Sequence, residues 1–391
     1  MKKETLLATL GSHASGVGGI VNQPPHRAST ILFPSVAALE AAETANIPGA
    51  TYGRYGTPSS ASLETAMAQI EGADHAIVTA SGLSAIVVAL TACLKNGDHL
   101  LMVDSAYGPT RRFCDRVLKS FGVETTYYDP VIGADIAKLF KPNTKVVYVE
   151  SPGSLTFEVQ DVPAIAKAAH AKGIVVIGDN TWGTPLFYKP FDLGIDISIH
   201  SMTKYIAGHS DLVMGSVTCK KDLYKELLMT YRTLGASPSA DNCYLAQRGL
   251  HTMTVRMHQQ MENALVVAKW LKTRPEVDEV LYPALPGAPG HDLWKRDFTG
   301  GASLFAFALK GANKQQMCAF VDNLELFGLG YSWGGFESLV MPNNLTGRVA
   351  TKWKYSGPGI RLHIGLEHPD DLIKDLESGF AHMKKAGTSA A

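Results

Sequence analysis

Between residues 75 and 218 the chain alternates short β-rich runs with helical stretches, and this alternation restricts the possible folds more than any other feature of its 391 residues. The expected strands are His75–Thr79, His99–Val103, Val123–Tyr128, Lys145–Val149, Ile174–Gly178, Ile195–His200 and Leu212–Thr218. Helical patterns fill several of the intervals, at Ser84–Leu94, Thr110–Phe121, Ala134–Phe140 and Pro163–Ala171. Strands alternating with helices in this way form a largely parallel sheet with helices on both faces. Ligands of such sheets bind beyond the carboxyl ends of the strands. On either side of this region the pattern changes. Residues 1–55 are rich in Gly, Pro, Ser and Thr and lack sustained periodicity, which predicts an extended arm. A long helical stretch over Asp241–Arg274 leads into an α+β order of strand, strand, helix, strand and helix (Val277–Tyr282, Leu304–Leu309, Lys314–Asn323, Ile360–Ile364, Asp370–Lys385). The expected division is therefore an arm at 1–55, a large domain at 56–250 and a smaller C-terminal domain at 251–391; a chain of this length exceeds what one core usually carries.

Composition removes several function classes. Lys+Arg and Asp+Glu both number 36, so the formal net charge is zero, and without basic runs neither nucleic acid nor an anionic membrane is an expected partner. Five scattered cysteines without a CxxC pair fit reduced thiols rather than a disulfide framework or a zinc site. The N-terminal apolar run is too short and broken for a signal peptide, and the expected location is cytoplasmic. No HExxH, GxSxG, GxxxxGK[ST] or strand-following GxGxxG occurs, so a zinc protease, serine hydrolase, nucleoside triphosphate or dinucleotide has no sequence support.

The residues that carry chemistry fall at strand exits. Asp179 ends the run IVVIGD, where a buried charge is costly unless it meets a partner. Lys204 follows the next strand, 25 residues on (204 − 179), within Ser201-Met202-Thr203-Lys204-Tyr205. Pyridoxal 5'-phosphate needs this pair: an amine to bond its aldehyde and a carboxylate to keep its ring nitrogen protonated. Taken alone, such an aspartate and lysine read as a buried ion pair beside a surface lysine. The surrounding residues supply a phosphate site. Gly82 and Leu83 open a helix after Ser81, and amides there suit a dianion. Ser201 and Thr203 add hydroxyls. Tyr107 lies at another strand exit and could stack on a flat ring. Arg361, inside a late strand, could grip a carboxylate with its forked head. His200 and His209 flank the lysine segment and read as structural.

These segments resemble those of the Cys/Met-metabolism family of pyridoxal-phosphate enzymes. The likeness rests on Ser201–Asp211 (SMTKYIAGHSD), Tyr52–Pro58 (YGRYGTP), Glu150–Ser154 (ESPGS), Asp179–Trp182 (DNTW) and Arg361–Glu367 (RLHIGLE), in the family's order. It implies the type I, aspartate aminotransferase-like fold, an α/β protein with a large, mostly parallel seven-stranded sheet domain and a smaller α+β domain. It further implies a homotetramer in which Tyr52 and Arg54 reach the cofactor phosphate of a neighbouring subunit, with Gly82, Leu83, Ser201 and Thr203 completing that site. Tyr107 would stack on the ring and Arg361 would bind the substrate carboxylate. Tyr331-Ser332-Trp333-Gly-Gly resembles the β-lyase branch and would line the substrate pocket. The implied activity is carbon–sulfur β-elimination, converting cystathionine to homocysteine, pyruvate and ammonia in methionine biosynthesis. Cysteine desulfhydrase or cysteine-S-conjugate β-lyase activity is the alternative, followed by methionine γ-lyase and a non-catalytic cofactor-binding regulator. Arg112 stands where that branch carries an acid.

Overall fold

A computed structural model describes residues 1–11, 19–45 and 51–388. Seven strands form the larger sheet: β1 (His75–Thr79), β2 (His99–Val103), β3 (Glu124–Tyr128), β4 (Thr144–Glu150), β5 (Val175–Asp179), β6 (Ile197–Ser201) and β7 (Gly215–Cys219). Their spatial order is β1-β7-β6-β5-β4-β2-β3. The pairs β2–β3, β2–β4, β4–β5 and β5–β6 are parallel, whereas β7 runs antiparallel to both β6 and β1. Apolar runs explain the central strands: every residue of the HLLMV run in β2 is buried, as expected for a strand covered on both faces. This is the mostly parallel seven-stranded sheet that the alternation implies.

Twelve α-helices are described: α1 (Lys3–Thr9), α2 (Val36–Ala45), α3 (Pro58–Glu71), α4 (Gly82–Cys93), α5 (Gly108–Phe113), α6 (Val162–His170), α7 (Thr184–Phe187), α8 (Lys221–Leu234), α9 (Ala240–Lys272), α10 (His291–Asp297), α11 (Lys314–Val321) and α12 (Pro369–Thr388). Local chemistry sets several ends. Thr57 and Ser60 cap the start of α3 reciprocally, with Pro58 in the first turn, and Gly72 closes the helix in the left-handed region at φ 78°. Ser81 caps α4 by accepting from the Ser84 amide.

A second sheet has the order β10-β11-β12-β9-β8, from β8 (Val277–Leu281), β9 (Leu304–Leu309), β10 (Gly328–Leu329), β11 (Leu339–Pro342) and β12 (Gly359–His363). The 33-residue α9 joins the two parts, packing on α1 and α3 and also on α12 and β8.

Several details differ from the sequence reading, which had no counterpart for α8, α10, β10 or β11. The stretch expected to be one helix over Thr110–Phe121 is α5 followed by a wider-wound turn at Cys114–Leu118, where Cys114 and Leu118 are buried. The stretch Ala134–Phe140 is 3₁₀ rather than α, over Gly133–Leu139. Within the arm, α1 is a docked helix with Leu7 fully buried, because Leu7 and Leu10 find cover against α9. Arm residues 12–18 and 46–50 lie outside the described residues. No helix among the described residues is long and apolar enough to cross a membrane.

Candidate active site

The parallel strands place four side chains at one edge of the larger sheet. Asp179 is the last residue of β5 and pairs in register with Glu150, the last of β4. Lys204 follows β6 on a tight turn in which the Gly208 amide donates to the Lys204 carbonyl at 2.8 Å. Tyr107 lies just past β2, and its backbone amide donates to Glu150 Oε2 at 2.8 Å. Thr181 ties the ends of β5 and β6 together. Its amide donates to Asp179 Oδ1 (2.9 Å) and its hydroxyl accepts from the Ser201 amide (2.8 Å).

The second sheet supplies the facing wall. Arg361 lies in β12 and donates from Nη2 to the Ser332 carbonyl at 3.1 Å, while Lys204 Nζ donates to Ser332 Oγ at 2.6 Å. The same amine lies 5.4 Å from the centroid of the Trp333 ring. Ser332 has φ 74°, an uncommon conformation for a residue with a side chain. Gly334 holds the loop in place at φ 90°; a Cβ there would lie 2.7 Å from the Tyr205 nitrogen and 2.8 Å from the Lys204 carbonyl carbon. Nε2 of His363 lies 3.1 Å from both the Gly334 amide and the Gly335 carbonyl, and burial pushes this imidazole down to about 4 and so keeps it neutral.

Electrostatics set the protonation of these groups. Burial, with Arg361 nearby, lowers the Lys204 amine to about 8. Burial lowers Arg361 to about 10. Burial likewise pushes the Asp179 carboxyl up, against the hydrogen bonds from Thr181 that hold it down. Glu150 is pushed well above the usual carboxylate range by burial and by Asp179, and Tyr107 is raised by burial and by Glu150.

Asp179 and Lys204 form no ion bridge with each other, consistent with their expected assignment to different edges of the cofactor. The amine turns to Ser332, and Asp179 receives Thr181 and, weakly, the Tyr148 hydroxyl at 3.4 Å. No cation among the described residues bonds Asp179. A desolvated carboxylate and a desolvated amine left unpaired fit a group that meets each at a different edge, as pyridoxal phosphate does with its protonated ring nitrogen and its aldehyde. The start of α4 fits the phosphate. Ser81 satisfies the Ser84 amide, leaving Gly82 and Leu83 as first-turn donors without a helical acceptor. A Cβ on Gly82 would lie 2.6 Å from Ser201 Oγ, so the missing side chain lets this helix start close onto Ser201. Thr203 is less free, since its hydroxyl donates to the Met214 carbonyl (3.2 Å) and accepts from the Met214 amide (3.0 Å).

Tyr52 and Arg54 are not brought to Lys204 within the chain. Arg54 donates to the Arg232 carbonyl (2.7 Å), and Tyr52 stays 41% exposed beside it. Tyr331 projects outward at 86% exposure, whereas Trp333 packs on Tyr205 with ring centroids 5.3 Å apart. Arg112 is exposed on α5, close enough to Tyr107 to oppose the rise of its phenol. His200 is buried behind the sheet against Glu71 at 2.8 Å, a structural role, and His209 is exposed. Sequence reasoning quoted Glu150, Gly334 and His363 only as parts of blocks and gave Tyr148 no role. The Glu150 signal was available, since it ends a buried strand one place along the sheet from Asp179. No group of three or more His, Cys, Asp or Glu among the described residues could hold a metal ion.

A lysine amine and an unpaired carboxylate at neighbouring exits of a mostly parallel seven-stranded sheet, beside an open helix start, define the class: a pyridoxal-phosphate enzyme of the type I fold. The match to known proteins is narrower. The family model described as Cys/Met metabolism PLP-dependent enzyme matches residues 4–381, and the chain belongs to that family. It is 42% identical over 390 residues to the cystathionine beta-lyase of Escherichia coli K12, covering 98% of this chain and 99% of that one. It is also 39% identical over 396 residues to an L-alanine/L-glutamate racemase of Wolbachia pipientis wMel, covering 98% of each. Among solved structures, cystathionine gamma-lyase from Lactobacillus plantarum complexed with L-serine superposes with a TM-score of 0.88 at 31% identity, over 98% of this chain and 100% of that one.

Proposed function

We propose that this chain is a carbon–sulfur β-lyase that splits cystathionine into homocysteine, pyruvate and ammonia, a step suited to methionine biosynthesis. The observation that carries the reading is the Lys204 amine, lowered to about 8 and hydrogen-bonded at 2.6 Å to Ser332, on a loop that Arg361 also holds. The likeness to a cystathionine beta-lyase over nearly the whole chain supports it.

In this reading Lys204, Asp179, Tyr107, Gly82, Leu83, Ser201 and Thr203 hold pyridoxal phosphate. Bound there, the cofactor supplies an electron-withdrawing ring for charge that develops at the substrate Cα. Asp179 keeps the proton on the ring nitrogen, and that opposing cation offsets the cost of the buried carboxylate. Arg361 binds the substrate carboxylate through donors that Ser332 leaves free. Lys204 Nζ then takes the proton from Cα. An amine lowered toward neutrality suits this work, since a base transfers protons best near the operating pH. The Cβ–S bond breaks with its electron pair leaving on sulfur, so cystathionine releases homocysteine, and water converts the remaining fragment to pyruvate and ammonia. Ser332, Trp333 and Tyr331 line the path to the sulfur end.

The same reading assigns residues 1–55 to an arm over a neighbouring subunit, 56–250 to the cofactor domain and 251–391 to the small domain. Leu32 at 89% exposure and Val36 at 71% leave the arm with apolar surface for a second copy to cover. Tyr52 and Arg54 would then reach the neighbour's cofactor phosphate in a cytoplasmic homotetramer.

The test compares kcat/KM for cystathionine and cysteine on the purified, cofactor-loaded protein, with free thiol and keto acid both measured. The proposal expects cystathionine to be preferred and to yield pyruvate. Preference for cysteine would make the chain a desulfhydrase, and 2-oxobutyrate would make it a γ-lyase.

A further inference from the structure

Arg256, on α9 and 6% exposed, has no carboxylate partner among the described residues, and only burial acts on its charge. A guanidinium placed there without an opposing charge is costly, so its geometry has to supply the compensation. Its four hydrogen bonds all go to uncharged oxygens. Nη1 donates to the Tyr205 carbonyl at 2.9 Å, and Nη2 to the Gly249 carbonyl at 2.8 Å and the Ile206 carbonyl at 3.4 Å. Nε donates to Thr252 Oγ1 at 3.1 Å. Tyr205 and Ile206 are the two residues immediately after Lys204.

Two glycines make this contact possible. Gly208 closes the lysine turn at φ 72°, and a Cβ there would lie 1.9 Å from Arg256 Nη1, so the guanidinium fills the space a side chain would take. A Cβ on Gly249 would lie 2.2 Å from the Ile206 carbonyl oxygen, so α9 and the turn meet backbone to backbone at that point. The opposite side of the turn rests on Gly334, at 2.7 Å from the Tyr205 nitrogen for a Cβ there. The backbone that carries Lys204 is thus held between the Gly334 loop of the second sheet and the fork of Arg256.

We infer that Arg256 is a positioning residue for the reaction: its planar fork fixes the turn after Lys204 and thereby sets where the amine stands relative to Ser332 and the substrate Cα. The inference rests on Lys204 being the cofactor lysine. The three carbonyls are bonded from two nitrogens of one rigid plane; a lysine at 256 would keep the cation and gather its three donors on a single nitrogen without that plane. A misplacement of roughly 1 Å arising away from the chemistry costs on the order of a hundredfold in rate.

The test uses Arg256→Lys and Arg256→Met in the full chain. Four quantities are read: kcat and KM separately for cystathionine, melting temperature, and the pH dependence of pyridoxal-phosphate uptake by the cofactor-free proteins. The expected result for Arg256→Lys is a folded protein whose kcat falls on the order of a hundredfold while KM moves less than about threefold, since Arg361 is untouched. Its uptake inflection should also move up from about 8 toward the ordinary lysine value as the amine leaves its desolvated seat. A lowered melting temperature with kcat and the inflection both unchanged would overturn the inference and leave Arg256 a purely structural residue. Should Arg256→Met fail to fold, Arg256→Lys decides alone. Should the unaltered protein not cleave cystathionine, the proposed activity fails, and the uptake inflection still decides the role of Arg256.

Discussion

Replacing Arg361 by Met should raise the basicity of Lys204 and slow cofactor capture at neutral pH. Both groups bind Ser332, Arg361 at its carbonyl and Lys204 at its hydroxyl, so their charges stand close together in a desolvated wall. Two like charges roughly 7 Å apart at an effective dielectric constant of about 20 repel by about 2 kcal/mol. At about 1.4 kcal/mol per pKa unit, removing Arg361 should lift the amine by roughly one and a half units from about 8. Burial is the larger cause of the depression, so the amine should still titrate below an ordinary lysine. Only the neutral amine attacks an aldehyde. The uptake rate of the cofactor-free protein should therefore rise with pH to an inflection near 8 and then level off. In the variant the inflection should lie about one and a half units higher, which makes uptake roughly thirtyfold slower at any pH well below both values. Stopped-flow visible absorbance across the pH range measures both proteins, and the cofactor's own ionisations cancel in the ratio. An inflection that stays put, or moves down, would refute the electrostatic reasoning.

Asp179→Asn should keep the fold, weaken retention of pyridoxal phosphate and lower kcat by at least a hundredfold, measured by cofactor dissociation and pyruvate release; a neutral amide no longer holds the ring nitrogen's proton. Gly334→Ala should cost about 2–3 kcal/mol or more of stability, because φ 90° and the contact with the Tyr205 nitrogen both oppose a side chain; thermal unfolding checks it. Ser332→Ala should leave the cofactor bound but lower kcat, since Lys204 Nζ loses its 2.6 Å partner, and steady-state kinetics on cystathionine would register the change.

The sequence was most legible where one residue type admits one role. The buried run of β2, the aspartate ending β5 and the lysine after β6 could all be placed from local pattern, because a central strand and a strand-end charge leave few alternatives. The helix α8 was passed over although Leu223, Tyr224, Leu227, Leu228 and Tyr231 recur along it at helical spacing and pack on the core. The break after Phe113 was invisible because the apolar spacing continues through the wider turn. What the chain could not reveal locally are contacts between distant segments. Ser332 lies 128 residues beyond Lys204 and only the resemblance of its block put it at the pocket, while Arg256 lies 51 beyond Tyr205 with nothing in its neighbours to announce the meeting.

The central claim is that the side chain at position 204 carries the cofactor. Loading the purified chain with pyridoxal phosphate, trapping the lysine–aldehyde bond with borohydride and mapping the labelled peptide tests it directly. The account predicts a single label on Lys204; a label on another lysine, or no label on a protein that still makes pyruvate, would contradict it.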